Sequence, residues 1–484
     1  MSIIFYHIFL GLYVTGIRLI SRWNPKAKAW LDGRKGLLGR IREEMGADAD
    51  LAGKAEQMRT GMAASTGASV TGAKDQAQGA AMGTGAGTDG RGEAGSHTPK
   101  TIWMHCASLG EFEQGRPVLE SLRIQDPGCR IVVTFFSPSG YSVRKDYEGA
   151  DHVFYLPFDT KRNARQFIDL IRPDLVLWIK YDYWYYYLVE LKKRNVPTIL
   201  ISGVFRPDQP FFKWYGRLHR YMLECFTHLF VQTEASVRLL ARLGISGNVS
   251  VSGDTRFDQV IGISGQPVPL PLIEAFCGQH AVIVAGSTWE EDEEELDHFA
   301  NTHQEIRFII APHEIGEERM REVEKLFRYC IRYSQWEKEA GRRTAQGQQG
   351  SKAMPRENLR PPNVLIIDNI GMLSRLYKYA TITYVGGGFG DDGVHNVLEA
   401  AVYGKPVVFG PVIEKFIEAV ELADCGGGIV IDSALEAESV FSRLLSNPEE
   451  YRLTCAASRD YVQAKRGATG KITGYIQENR LFTS

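Results

Sequence analysis

Glu111 is the first residue whose setting suggests catalysis. It lies in SLGEFEQG (108–115), directly after an apolar run at 101–106. Ser108 and Gly110 read as a tight turn from strand to helix. The helix that follows carries Val118, Leu119 and Leu122 on its apolar face and tolerates Pro117 near its start. A carboxylate at such a junction can act as general base on an acceptor hydroxyl. It can equally be an acid that complements the positive end of a helix. A second stretch, TYVGGGFGDDGVHNVLEAAVYGKPVVFGP (383–411), runs from a strand into Gly386, Gly387 and Gly388. A loop follows, and a helix opens near His395 or Asn396. Glycines let a backbone approach a phosphate closely, and a helix start adds N–H donors. Glu399, one turn later, can accept hydrogen bonds from both hydroxyls of a ribose. The spacing is not GxGxxG, so it does not specify NAD. The alternative is a structural glycine turn capped by an Asn.

Three further stretches carry polar groups at strand ends. In VIVAGSTWEEDEEEL (282–296), Gly286, Ser287 and Thr288 lie between a strand and an acidic helix start. Ser287 or Thr288 can cap that helix or bind a phosphate or carboxylate. The acidic run 290–295 reads as a solvated helix start, because its carboxylates have no fixed ligand geometry and no His at metal spacing. In KYDYWYYY (180–187), Asp182, Trp184 and the tyrosines either line a sugar or acyl-chain site or pack as core and interface. Arg206 is a candidate partner for an anion. VSGDTRFD (251–258), with Asp254, Arg256 and Asp258, can be hinge or ligand contact.

These residues need a frame that brings strand ends together. Apolar runs at 101–106, 131–136, 174–179, 197–202, 228–232 and 249–252 predict one series of strands. Runs at 281–286, 307–311, 363–367, 381–385, 406–409 and 428–431 predict a second. Helical periods lie between them, as at 161–171, where Ala164, Phe167, Ile168 and Ile171 share a face. Such alternation implies parallel sheets covered by helices. The Pro- and Gly-rich stretch near 258–272 separates two doubly wound α/β domains, with ligands expected at the carboxyl ends of strands, in the cleft the domains face. The polar stretch 335–362 reads as a loop.

The bulk composition excludes more than it assigns. A formal net charge of −2 over 484 residues gives no global case for nucleic acid. Seven scattered cysteines without a CxxC pair argue against a disulfide framework or a zinc site. Residues 3–20 form an apolar run close to the shortest that spans a bilayer. Arg18, Arg22, Lys26 and Lys28 follow, then Arg34, Lys35, Arg40 and Arg42, a bias that keeps the rest of the chain cytoplasmic. The helix either anchors the chain in the membrane, or is amphipathic and only lies on the membrane, or docks on the body of the protein. The Gly-, Ala-, Ser- and Thr-dominated stretch 46–98 cannot bury enough surface to order itself.

Read together, these stretches resemble the bacterial Kdo (3-deoxy-D-manno-octulosonic acid) transferases of lipopolysaccharide inner-core synthesis. The matching segments are IWMHCASLGE (102–111), TFFSPSG (134–140), RPDLVLWIKYDYW (172–184), VSGDTRFD (251–258), VAGSTWEEDE (284–293), APHEIGEE (311–318), the glycine stretch at 385–411 and RGATGKI (466–472). They run in order through nearly all of 1–45 and 100–475. The resemblance implies a GT-B fold with two Rossmann-like domains: a membrane anchor at 1–45, an insertion at 46–99, an acceptor domain at 100–262 and a CMP-sugar domain at 273–484. It implies an inverting transferase that needs neither cofactor nor metal and moves Kdo from CMP-Kdo to a lipid A precursor. The enzyme would sit on the cytoplasmic side of the inner membrane. Glu111 maps onto the catalytic base. Gly386, Gly387, His395, Asn396 and Glu399 map onto the CMP loop, and Ser287 and Thr288 onto donor phosphate or carboxylate contacts. Ser108, Gly110, Asp182, Arg206, Arg256 and His313 complete the substrate-binding set. Three positions depart from the pattern. The family's ExE reads Lys180, Tyr181, Asp182; its PRH arginine is Pro312 beside His313; and a glycine before HN is Val394. Two other readings remain: a GT-B enzyme acting on a UDP-sugar, and an inactive membrane protein that binds lipid.

Overall fold

The computed structural model describes residues 3–47, 99–180, 182–266, 268–345 and 361–482. Residues 48–98 of the low-complexity stretch lie outside the described residues. The chain divides into two compact units, Met1–Ser252 with Gly470–Ser484, and Gly253–Thr469. The stretch 253–272 therefore sits with the second sheet, and the chain returns to the first unit at Gly470.

The first unit holds seven parallel strands: β1 (Thr101–Cys106), β2 (Arg130–Phe135), β3 (His152–Tyr155), β4 (Leu175–Ile179), β5 (Thr198–Gly203), β6 (His228–Val231) and β7 (Val249–Val251). Their order is β3-β2-β1-β4-β5-β6-β7. β1 and β4 are buried throughout. Continuous apolar strands of this kind are what a parallel sheet covered on both faces requires. The helix Lys161–Ile171 buries Ala164, Phe167, Ile168 and Ile171, as the period predicts. Thr160 caps it, its hydroxyl accepting from the N–H of Asn163, and Arg172 ends it in the left-handed region at φ 43°.

The second unit holds β8 (Val282–Thr288), β9 (Arg307–Pro312), β10 (Cys330–Arg332), β11 (Val364–Ile366), β12 (Ile382–Val385), β13 (Val407–Phe409) and β14 (Gly428–Val430). The order is β10-β11-β9-β8-β12-β13-β14, again all parallel. In each sheet the winding reverses beside its first strand, between β1 and β4 and between β8 and β12. Loops leaving the two strands at such a point diverge and leave room for ligand. That is why 287–289 meets 386–388, with Gly386 against Ser287 and Thr288. Residues 335–345, expected within a loop, belong to the helix Tyr333–Ala345.

The N-terminal segment is part of the first unit. The helix Ile3–Ile20 turns Tyr6 and Leu10 onto Leu218, Phe158 and Tyr185. It leaves Ile4, Phe5, Ile8, Phe9 and Leu12 exposed. The hydroxyl of Tyr6 donates to Asp159 Oδ2, which also accepts from the N–H of Tyr186, while Oδ1 accepts from the N–H of Tyr187. Burial pushes the Asp159 carboxyl up to about 6 against these hydrogen bonds. Leu37, Ile41 and Met45 then join the core. Arg34, one of the basic residues that follow the apolar run, is folded inward. Its guanidinium lies 3.9 Å from the Trp30 ring centroid and donates to the carbonyls of Trp30, Phe136 and Leu156. It ties the segment to the ends of β2 and β3.

Candidate active site

Each unit presents one polar cluster at its winding reversal. In the first, β1 ends at Cys106 and the helix Leu109–Gln125 begins within three residues. Ser108 is its extended N-cap. Gly110, expected in a tight turn, is the second residue of that helix, and a Cβ there would meet no atom within 4 Å. Glu111 is 8% exposed, and its Oε2 accepts the N–H of Ala107. The carboxylate thus folds back over the helix start onto the end of β1. Burial, together with the charges of Glu111, Glu113 and Asp182, pushes the Cys106 thiol up. Asp182 follows β4, with one oxygen 3.7 Å from Nε2 of His105. The other face of the His105 system is a buried chain. Trp103 donates its indole N–H to Thr134 Oγ1 at 2.8 Å, which lies 2.9 Å from His105 Nδ1. Thr134 thus links the indole of Trp103 to Nδ1 of His105, while Nε2 of the same ring faces Asp182. His105 was not singled out in the sequence, where it reads as one polar residue in a buried strand.

The tyrosines after Asp182 serve the fold. Tyr187 is fully buried, and Tyr185 and Tyr186 pack on Tyr6. They form the seat of the N-terminal helix, and Tyr186 also lines a cavity with His7, Leu10 and Phe158.

In the second unit, Gly386, Gly387 and Gly388 leave β12 beside Ser287, Thr288 and Trp289 at the end of β8. Gly387 and Gly393 take φ of 90° and 83°, the left-handed region that favours glycine. Ser287 is in the same region at φ 54°. The loop's own amides are largely taken. Gly387 N–H goes to Asp292 Oδ2 at 2.8 Å and Gly386 N–H to the carbonyl of Gly286 at 2.9 Å. The N–H groups of Gly390, Gly393, Val394 and His395 also bond carbonyls of this unit. The helix expected to open at His395 or Asn396 is one turn, Leu398–Ala401. A single turn sums too few peptide dipoles to hold an anion by itself. The polar side chains around the loop include those of Ser287, His313, His395 and Asn396. Asn396 donates to Glu399 Oε1 at 3.1 Å.

The acidic run 290–295 is not all solvated. Asp292 and Glu293 are fully buried. Asp292 accepts from Tyr384 Oη at 2.7 Å, from Trp289 N and from Gly387 N, which pins the glycine loop to the helix Glu290–Thr302. Burial raises its pKa against those three hydrogen bonds. Glu293 accepts the hydroxyl proton of Thr288 at 2.7 Å and pairs with Arg319; burial pushes it up to about 7. Thr288 therefore keeps only acceptor capacity for a ligand. Trp289 donates its indole N–H to His395 Nε2 at 2.9 Å.

The remaining candidates have surroundings of their own. Arg206 is exposed after β5. Arg256 is bound between Asp254 and Glu418, each at 2.7 Å, so its charge is already met. Asp258 accepts the N–H groups of Gly467 and Thr469, both at 2.6 Å, and caps the helix Ala468–Glu478. RGATGKI is thus the partner of VSGDTRFD. Among the described residues, no group of three or more His, Cys, Asp or Glu is placed to hold a metal ion.

Comparison with known proteins narrows the chemistry. Residues 83–259 match the family described as 3-deoxy-D-manno-octulosonic-acid transferase (kdotransferase). The 3-deoxy-D-manno-octulosonic acid transferase of Chlamydia trachomatis is 27% identical over 381 residues, 76% of this chain and 83% of that protein. A bifunctional glycosyltransferase/methyltransferase of Fusobacterium nucleatum is 24% identical over 393 residues, 79% of this chain and 55% of its own length. Among solved structures, UDP-GlcNAc 2-epimerase from Neisseria meningitidis bound to UDP-GlcNAc superposes with a TM-score of 0.52 at 16% identity, over 78% of this chain and 100% of that one. That likeness is one of fold, and the two parallel-sheet units are of the GT-B type. With the family domain over 83–259 and alignments that span both sheets, the chain is a relative of the Kdo transferases and, like them, a glycosyltransferase.

Proposed function

We propose that this protein transfers Kdo from CMP-Kdo to a lipid A precursor with inversion at the anomeric carbon. The observation that carries the reading is Glu111, a mostly buried carboxylate held at the end of β1 in a chain related to the Kdo transferases. Glu111 takes the proton of the acceptor hydroxyl. The acceptor oxygen bonds the anomeric carbon, and the bond from that carbon to the CMP phosphate breaks with its electron pair on the phosphate oxygen. The departing charge is met by Ser287, His313, His395 and Asn396, and Glu399 takes the ribose hydroxyls. Asp182 and His105 help define the acceptor side. No step is assigned to a metal or a cofactor. The deciding experiment is mass spectrometry of a lipid A precursor after incubation with CMP-Kdo and the full chain. Added Kdo mass with CMP release supports the reading. Turnover of a UDP-sugar instead, or lipid binding without CMP release, overturns it.

The protein acts on a lipid at the cytoplasmic face of the inner membrane, with the Ile3–Ile20 helix as its attachment. That helix has 18 residues and a mean hydropathy of 1.8, yet one face is seated on the first unit. The opposite stripe of Ile4, Phe5, Ile8, Phe9 and Leu12 is left for lipid, with Trp23 exposed beyond it. A helix so seated lies along the membrane surface. Phe5→Asp with Phe9→Asp is expected to lower partitioning onto lipid vesicles by roughly tenfold or more, since each buried Phe contributes about 1.5–3 kcal/mol. Flotation assays measure this, and an unchanged bound fraction refutes the attachment.

A further inference from the structure

We propose that Trp289 is a positioning residue that fixes His395 as the neutral imidazole protonated on Nδ1, so that His395 donates to an anionic oxygen of the donor substrate. The inference rests on the donor-binding role given to the glycine loop above. An indole N–H is a donor only. Its 2.9 Å hydrogen bond to His395 Nε2 therefore requires that nitrogen to be unprotonated. A neutral ring then carries its one proton on Nδ1. The geometry holds the pair in this state. The two rings are nearly parallel, at 16°, and His313 stacks against both, 4.6 Å from Trp289 and 4.5 Å from His395 between centroids. Asp292 fixes the Trp289 backbone N–H at 2.9 Å and the Gly387 N–H at 2.8 Å, so ring and loop share one anchor. Burial and the neighbouring His313 pull His395 down to about 4, against Asp392, which agrees with a neutral ring at physiological pH. The arrangement matters because the amides of Gly386, Gly387, Gly390, Gly393, Val394 and His395 are already bonded within the unit. Of the groups around that loop, His395 Nδ1–H is a donor with its orientation set in advance, so an anionic oxygen already present on the bound donor is held with little further ordering.

The test uses the full chain, labelled with ¹⁵N-histidine and held in detergent without ligand near neutral pH. Long-range ¹H–¹⁵N spectra, with His395 assigned by its loss in His395→Asn, should show Nδ1 protonated and Nε2 bare. In Trp289→Phe, which keeps a ring but no N–H, His395 should relax to the tautomer mixture of a free imidazole. Losing one oriented hydrogen bond should raise the KM for CMP-Kdo about five- to tenfold with kcat nearly unchanged. A matching loss of CMP affinity assigns the contact to phosphate; CMP affinity unchanged with KM raised assigns it to the Kdo carboxylate. A wild-type His395 protonated on Nε2 or on both nitrogens overturns the proposal, and that spectrum decides even should Trp289→Phe not fold. Unaltered KM and CMP affinity in a folded Trp289→Phe overturn it as well. A chain that shows the predicted tautomer but transfers no Kdo would refute the function proposed above and leave the tautomer assignment standing.

Discussion

Glu111→Gln is expected to leave the fold and CMP affinity unchanged and to lower Kdo transfer by roughly 10²–10⁴-fold, the range of general base catalysis. The amide is nearly isosteric, and its oxygen can still accept the Ala107 N–H that Glu111 accepts. The turn out of β1 therefore survives, while the group that takes the acceptor proton is gone. Glu111→Ala separates the two roles of the side chain. It removes the base and also leaves the Ala107 N–H without its acceptor, which costs about 1–3 kcal/mol for a buried donor. A lower Tm in the alanine variant alone, with both variants inactive, is the expected pattern. CMP release and product mass measure turnover, and thermal unfolding measures the turn. Full turnover in Glu111→Gln would remove Glu111 from catalysis.

Gly386→Ala carries the second large effect. A Cβ there would lie 2.5 Å from the Ser287 carbonyl oxygen, 2.7 Å from Thr288 Cα and 2.8 Å from Asp292 Oδ2. Two of these are backbone atoms of the neighbouring loop, so β8 and β12 would have to part at their ends. Gly387→Ala meets the Gly393 carbonyl at 2.5 Å and adds a left-handed φ. Overpacking of this kind typically costs about 1–3 kcal/mol. The same movement displaces Ser287, Asp292 and, through Trp289, His395. CMP affinity should therefore fall at least about tenfold, more than one lost hydrogen bond accounts for. Gly390→Ala is the control, since its Cβ would touch only the Gly387 carbonyl oxygen, at 3.7 Å. Calorimetry with CMP and unfolding curves on the three variants separate binding from stability. Normal CMP affinity in Gly386→Ala would show that the loop does not hold the nucleotide.

Much of this arrangement is legible in the sequence, for a physical reason. β1, β4, β8 and β12 are buried on both faces, so they read as short unbroken apolar runs. The strands without such a run are β3 and β10, at sheet edges. β3 opens on a histidine and β10 closes on an arginine among further Arg and Tyr residues, so neither stands out as apolar. Glu111 is legible because one local segment supplies strand, turn and helix. Asp292 and Glu293 are not, because an acidic run looks solvated unless its partners are known. Those partners, Tyr384 and Arg319, are far along the chain, and the fold brings them in. The same holds for Arg34, whose three carbonyl acceptors come partly from the ends of β2 and β3. That the amides of Gly386, Gly387, Gly390 and Gly393 are already bonded is also invisible in the loop's composition, which describes how the backbone can bend and nothing of what it meets.

The return of Gly470–Ser484 to the first unit bears on how the protein is made. Ile472 and Ile476 are buried in the same apolar layer as Ile199, Ile201 and Phe230, with Tyr475 against His228. During synthesis, the sheet completed at Val251 must wait with that layer uncovered until all of Gly253–Thr469 has left the ribosome. An N-terminal fragment ending at Ser252 would keep its strands yet present a bare aliphatic strip to water. It should therefore clump or recruit chaperones, and a separately added peptide of residues 468–482 should rescue its solubility.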